Sequence, residues 1–227
     1  MRRRVLWIVA GIVVVAVVAA AGVFVVRKAS SVATVAALCD SIRDQVDERG
    51  AVIEVPGESP PLGILGDSWT TGDTLAEYRD AWPFVLADET GGEVVVAGQG
   101  GTGFSNAGYC GDGAFPARVR ALASAQPGRV IVAGGLNDVG LDATGIRSGF
   151  SATLDALDGI PVVVVGPVDV PGREGEAEVD ATLSEACDDL GVPYVSALGW
   201  EVETGADGVH PTAGGARQYA ELVAAIN

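Results

Sequence analysis

Five short apolar runs, rich in Val and Ile, constrain the fold of this chain most: "LGILG" (62–66), "EVVVAG" (93–98), "RVIVAGG" (129–135), "PVVVVG" (161–166) and "VPYVSA" (192–197). A strand with one face in water alternates apolar and polar residues, whereas a continuous run reads as a strand buried on both faces. Between the runs lie helix-periodic segments around 73–87, 115–126, 147–157 and 175–190, with a last one at 212–226. Strands interleaved with helices predict a three-layer α/β/α sandwich around a five-stranded parallel sheet. In such sheets ligands bind beyond the carboxyl ends of the strands. Functional residues are therefore expected just after the runs, where "GDS", "GQGGTG" and "GGLND" follow the first three.

The sandwich is expected over 60–227, which leaves an appendage at the front. Val5 to Val26 is 22 residues without a charge, bracketed by Arg2, Arg3 and Arg4 before it and Arg27 and Lys28 after it. That length crosses a bilayer, and the leading arginines favour an N-inside orientation. The expectation is a cytoplasmic tail (1–4), a transmembrane signal anchor (5–26) and an extracytoplasmic domain. A cleaved signal peptide is the competing reading, because Ala19 to Gly22 offers small residues for cleavage; both readings export the domain. Across 27–59, Val32, Val35, Leu38, Ile42 and Val46 recur at helical spacing, reading as an amphipathic helix or stalk. "PGESPP" (56–61) is then expected to break regular structure and mark the domain edge.

Five of the 14 basic residues flank the apolar run, so the remainder carries nine arginines against 30 acidic residues, a net charge of −21. Such a surface argues against nucleic acid and against anionic headgroups, which reward basic patches. Of the three cysteines, Cys187 falls in line with Val179, Leu183 and Leu190 at helical spacing and reads as a buried thiol. Cys39 with Cys110 is then the expected disulfide, which export permits.

The only histidine is His210, in "ADGVHPT". A lone histidine is more often a surface or core residue, but Asp207 precedes it by three residues. A carboxylate there can accept from one ring nitrogen, fix the tautomer and leave the other nitrogen free to take a proton. With a serine hydroxyl these are the minimum parts for covalent acyl transfer. Ser68 is the candidate, although "GDSWTT" equally suits a helix N-terminus. Gly98 to Gly103 can offer backbone N–H groups to an oxyanion, since no Cβ obstructs approach. Asn137 adds a neutral side-chain donor. The nucleophile-elbow pattern "GxSxG" is absent from the middle of the chain, as is a phosphate loop.

In order and spacing these blocks resemble the SGNH hydrolase superfamily, the GDSL esterases and lipases. Gly66–Asp67–Ser68 matches its first block, Gly101 its second, Gly135 to Asp138 its third and Asp207 to His210 its fifth. The resemblance implies a flavodoxin-like sheet, Ser68 as nucleophile, His210 as general base and then acid, and Asp207 orienting His210. It further implies an oxyanion hole from the Ser68 and Gly101 N–H groups and the Asn137 amide, with no cofactor or metal. Trp69 departs from the small aliphatic residue usual after the serine, and Val96 from a frequent asparagine. The reading is a membrane-anchored esterase acting on a small-molecule, glycan or lipid acyl ester. A glycan O-acyltransferase or deacetylase with the same triad, and a non-catalytic binding module, are the alternatives.

Overall fold

The computed structural model describes residues 33–226, the side chain of Ser59 excepted. The expected tail and anchor, residues 1–26, lie outside the described residues. Among the described residues no helix is long and apolar enough to cross a membrane. Two compact units divide between Ser41 and Ile42, and the whole sheet belongs to the second. Residues 33–49 form helix α1, in which Val35, Leu38 and Val46 are exposed.

The elements then run β1 (Ile53–Val55), β2 (Glu58–Gly66), α2 (Ser68–Thr71), α3 (Trp82–Thr90), β3 (Gly92–Gly98), α4 (Phe115–Ser124) and β4 (Arg129–Ala133). They end with α5 (Ala143–Asp155), β5 (Val162–Val165), α6 (Glu176–Leu190), β6 (Tyr194–Val195) and α7 (Ala213–Ala224). The sheet order is β1-β3-β2-β4-β5-β6, with every pairing parallel except that of β1 with β3. The sheet thus has six strands, not the expected five. The addition, β1, is three residues with a glutamate at its centre. As an edge strand it pairs on one side only, so it lacks the apolar run that identifies the others.

"PGESPP" does not interrupt the structure, because β2 already begins at Glu58. Proline cannot donate to a ladder, and a shift of register between Glu58 and Leu62 accommodates Pro60 and Pro61. From Leu62 to Gly66 the strand is in unbroken register with Val94–Gly98 on one side and Arg129–Ala133 on the other. The helix expected over 73–87 is also broken. Gly72, at φ +72°, ends α2 in the left-handed conformation. A 3-10 turn follows at Tyr78–Asp80, and α3 begins only at Trp82, with Pro83 in its first turn.

Alternate residues of the continuous runs serve two cores. Ile64, Val96, Ile131 and Val165 pack with Trp82 and Phe84 of α3 and Tyr219 and Val223 of α7. Leu65, Val95, Val132 and Val164 pack on the other face with Phe115 of α4, Phe150 of α5 and Leu183 of α6. This double burial is why the runs show no polar alternation.

Candidate active site

Strand order reverses at β2. The chain moves from β2 outward to β3, then crosses back to β4 on the other side. At such a switch point the two loops leaving the neighbouring carboxyl ends diverge and open a crevice. Ser68 follows β2 there, and Asn137 follows β4, in a 3-10 turn over Leu136–Asp138.

Ser68 is the first residue of α2, and Asp67 caps that helix by accepting the Trp69 N–H at 3.0 Å. The serine is almost buried, and its Oγ lies 2.9 Å from Nε2 of His210. His210 Nδ1 lies 2.7 Å from Oδ2 of Asp207. The same carboxylate accepts the Val209 and His210 N–H groups at 3.0 Å each through Oδ1. Asp207 is thus both the turn former and the group that aims the imidazole. The His210 hydrogen bond, then those two backbone N–H groups, hold its carboxyl down to about 2. An ionised Asp207 accepts from Nδ1–H, which leaves Nε2 to take the hydroxyl proton of Ser68.

The structure therefore brings the three residues of the expected triad together. It also joins the nucleophile helix to the histidine loop in a way that was not foreseen. Trp69 makes this link: its Nε1–H donates to the Val209 carbonyl at 3.2 Å, and its ring packs edge-on against Tyr219 at 5.4 Å.

Among the described residues, the N–H groups of Ser68 and Gly101 have no hydrogen-bond acceptor. Gly101 sits at φ +72°, where a side chain would strain the backbone. Asn137 donates from Nδ2 to the Thr102 carbonyl at 3.0 Å, while its approach to Asp67 Oδ2, at 3.4 Å, is long. The Thr102 bond thus holds the amide in place, while the long contact leaves its second hydrogen weakly engaged and available to an oxyanion.

Three residues set this geometry in roles that the sequence reading did not assign to them. Asp138 is fully buried and accepts the N–H groups of Phe104, Ser105 and Asn106 at 2.8, 2.8 and 2.9 Å, tying the loop after β3 to the Asn137 turn. Burial raises its carboxyl, and the three backbone bonds oppose that rise. Asn106 donates to the Asn137 carbonyl at 2.7 Å. It supplies a loop-bracing amide, whereas Val96 is a core residue inside β3. Arg118 reaches the carbonyls of Ala97, Gly66 and Gly113 at 2.7, 2.9 and 2.8 Å, and the Thr102 hydroxyl at 3.0 Å. Burial lowers Arg118 to about 10, against the pull of Asp67. Its available signal was an arginine within the apolar stripe of Phe115, Val119 and Leu122. Asp67 itself is pushed up to about 6 by burial, opposed by its Trp69 N–H bond.

Cys39 and Cys110 are each disulfide-bonded, and Cys187 is a buried free thiol in α6. Burial pushes that thiol up to about 12, the neighbouring Asp188 adding to the rise.

Residues 64–218 match the GDSL-like lipase/acylhydrolase family. No curated protein sequence matches the chain. The structure is similar to that of a carbohydrate acetylesterase family member from Sinorhizobium meliloti, at 18% identity and TM-score 0.60, over 74% of this chain and 97% of that one. It is also similar to the native aryl esterase of M. smegmatis, at 20% identity and TM-score 0.58, over 74% of this chain and 98% of that one.

Proposed function

Because the chain belongs to the GDSL-like lipase/acylhydrolase family and is an ester-hydrolysing enzyme, we propose that it cleaves carboxylic esters through an acyl-enzyme on Ser68. The contact that carries this reading is Ser68 Oγ to His210 Nε2 at 2.9 Å, backed by His210 Nδ1 to Asp207 at 2.7 Å. Ser68 Oγ attacks the ester carbonyl as Nε2 takes its proton. The tetrahedral oxyanion meets the Ser68 and Gly101 N–H groups and the Asn137 amide. On collapse, Nε2 returns the proton to the leaving alcohol, and water repeats the sequence to release the acid. Loss of one such oxyanion donor costs on the order of a hundredfold in kcat.

The decisive variant is Ser68→Ala, assayed on short activated acyl esters. Turnover is expected to vanish while the protein stays folded, and undiminished turnover would sink the mechanism.

Export and anchoring belong to the same proposal. They are supported by the uncharged run Val5–Val26 between basic flanks and by the disulfide-bonded state of Cys39 and Cys110, which suits an oxidising compartment. The mass of the mature chain separates an anchor from a cleaved signal. A second reading, deacetylation or acyl transfer on envelope glycans, draws support from the fold shared with a carbohydrate acetylesterase family member. Product analysis with an added polyol acceptor distinguishes transfer from hydrolysis. A binding module without activity would leave Ser68 unlabelled by a fluorophosphonate probe.

A further inference from the structure

A small cavity lies against the turn that carries Ser68. Its walls are Asp67, Trp69 and Thr70, Trp82 of α3, Tyr219 of α7 and the carboxyl ends of β4 and β5. About 20 Å³ of it is open to the centre of a water-sized sphere, which is room for one water molecule. Two of the wall residues carry polar atoms without a partner in the fold. Among the described residues Thr70 Oγ1 and Trp82 Nε1 make no hydrogen bond, although Thr70 is only 1% exposed and Trp82 is fully buried. A third group is short of donors. Asp67 Oδ1 accepts the Trp69 N–H, but among the described residues Oδ2 has only the long 3.4 Å contact to Asn137. That oxygen lies 3.5 Å from where a Cβ on Gly134 would stand, and Gly134 borders the cavity.

Buried polar groups are normally paired, with ordered water serving those the protein leaves over. The chemistry of the three groups selects the occupant. An indole N–H only donates, so the occupant must accept, which excludes a metal cation or an ammonium ion. The Asp67 carboxyl, pushed up to about 6 by burial, is still mostly ionised at pH 7 and only accepts, so the occupant must also donate, which excludes a halide. Water does both and matches the volume.

We propose that this cavity binds one water molecule, which accepts from Trp82 Nε1–H, shares a hydrogen bond with the Thr70 hydroxyl and donates to Asp67 Oδ2. With Oδ2 served from the cavity, the second Asn137 amide hydrogen is not drawn to Asp67 and stays free for the oxyanion. Thr70 and Trp82 are then positioning residues that act on Asn137 through the water. That consequence rests on the ester-hydrolase reading, whereas the water site does not.

The first test is a crystal structure of the full-length chain that resolves ordered solvent. A single solvent peak is expected in the cavity, about 2.7–3.2 Å from Trp82 Nε1. Melting of Thr70→Val supplies a second test, because a water-bound and a dry cavity predict opposite signs. Replacing a hydroxyl that bonds water with a methyl group is expected to lower Tm by about 2–4 °C, whereas in a dry cavity the change removes an unpaired hydroxyl and raises Tm. An absent peak or a raised Tm overturns the site, and the wild-type density decides even if the variant does not fold. On short activated acyl esters, Thr70→Val is expected to lower kcat about three- to tenfold with KM unchanged, less than the loss of a whole oxyanion donor, and Thr70→Ser to restore it. An unchanged kcat, or a fall that Thr70→Ser does not reverse, overturns the link to Asn137. Should wild type hydrolyse no ester while fluorophosphonate leaves Ser68 unlabelled, the esterase reading fails, and density and Tm still decide the water site.

Discussion

Asp67 is the carboxyl whose burial gives the sharpest quantitative expectation, and Asp67→Asn is the variant that exposes it. The side chain is 3% exposed, its carboxyl is pushed up from 3.8 to about 6, and burial is the chief cause. A displacement of that size makes the folded anion about 3 kcal/mol costlier than the same anion in the unfolded chain. Above pH 6 the folded protein carries that cost in full. Below pH 4 the carboxyl is protonated in both states and the cost disappears. The wild type should therefore lose stability, relative to Asp67→Asn, as pH rises from about 4 to 6.

Asparagine caps helices as well as aspartate does, so the bond from the Trp69 N–H is retained. Two effects reduce the gain. Arg118 loses a charge that offsets its own burial, and the new amide faces Nδ2 of Asn137 across the 3.4 Å now spanned to Oδ2. A net stabilisation of about 1–2 kcal/mol at pH 7.5 remains, with little difference at pH 4. Chemical denaturation of both proteins across this range is the assay. The other buried carboxyls, such as Asp138, cancel in the difference. Parallel stability curves, or a variant less stable at pH 7.5 than at pH 4 relative to wild type, would refute the reasoning.

Asp138→Asn leaves one of three buried N–H groups facing an amide hydrogen, so a loss of about 2–4 kcal/mol is expected in denaturant melts, accompanied by reduced kcat/KM because the Asn137 turn is released. Gly101→Ala places a Cβ at φ +72° against the Tyr109 ring. The backbone strain is about 1–2 kcal/mol, and kcat should fall at least about tenfold as the N–H is displaced. Peptide mapping under non-reducing conditions is expected to recover Cys39 and Cys110 in one cross-linked peptide, and recovery of Cys187 in any disulfide would contradict that pairing.

The strand-and-helix alternation was legible from residue order, because buried parallel strands must be apolar on both faces and their runs stand out from everything around them. Residue order also pointed to Ser68, Gly101, Asn137, Asp207 and His210, since these residue types lie at strand ends in a family's order. Other features came from packing, which a pattern of apolar residues does not record. Strand β1 is an edge strand with a charged centre, and the opening residues of β2, before Leu62, include Pro60 and Pro61, so neither stretch carries the signature of a buried run. The helix expected over 73–87 begins only at Trp82, because the chain leaving the left-handed Gly72 first makes turns and a 3-10 turn at Tyr78–Asp80. The contacts of Asp138, Asn106, Arg118 and Trp69 were equally hidden, for they run to backbone carbonyls and N–H groups distant in the chain, which nearly every residue type offers alike. Folding alone places His210 Nε2 at 2.9 Å from Ser68 across 142 positions of sequence, a separation no local pattern can measure.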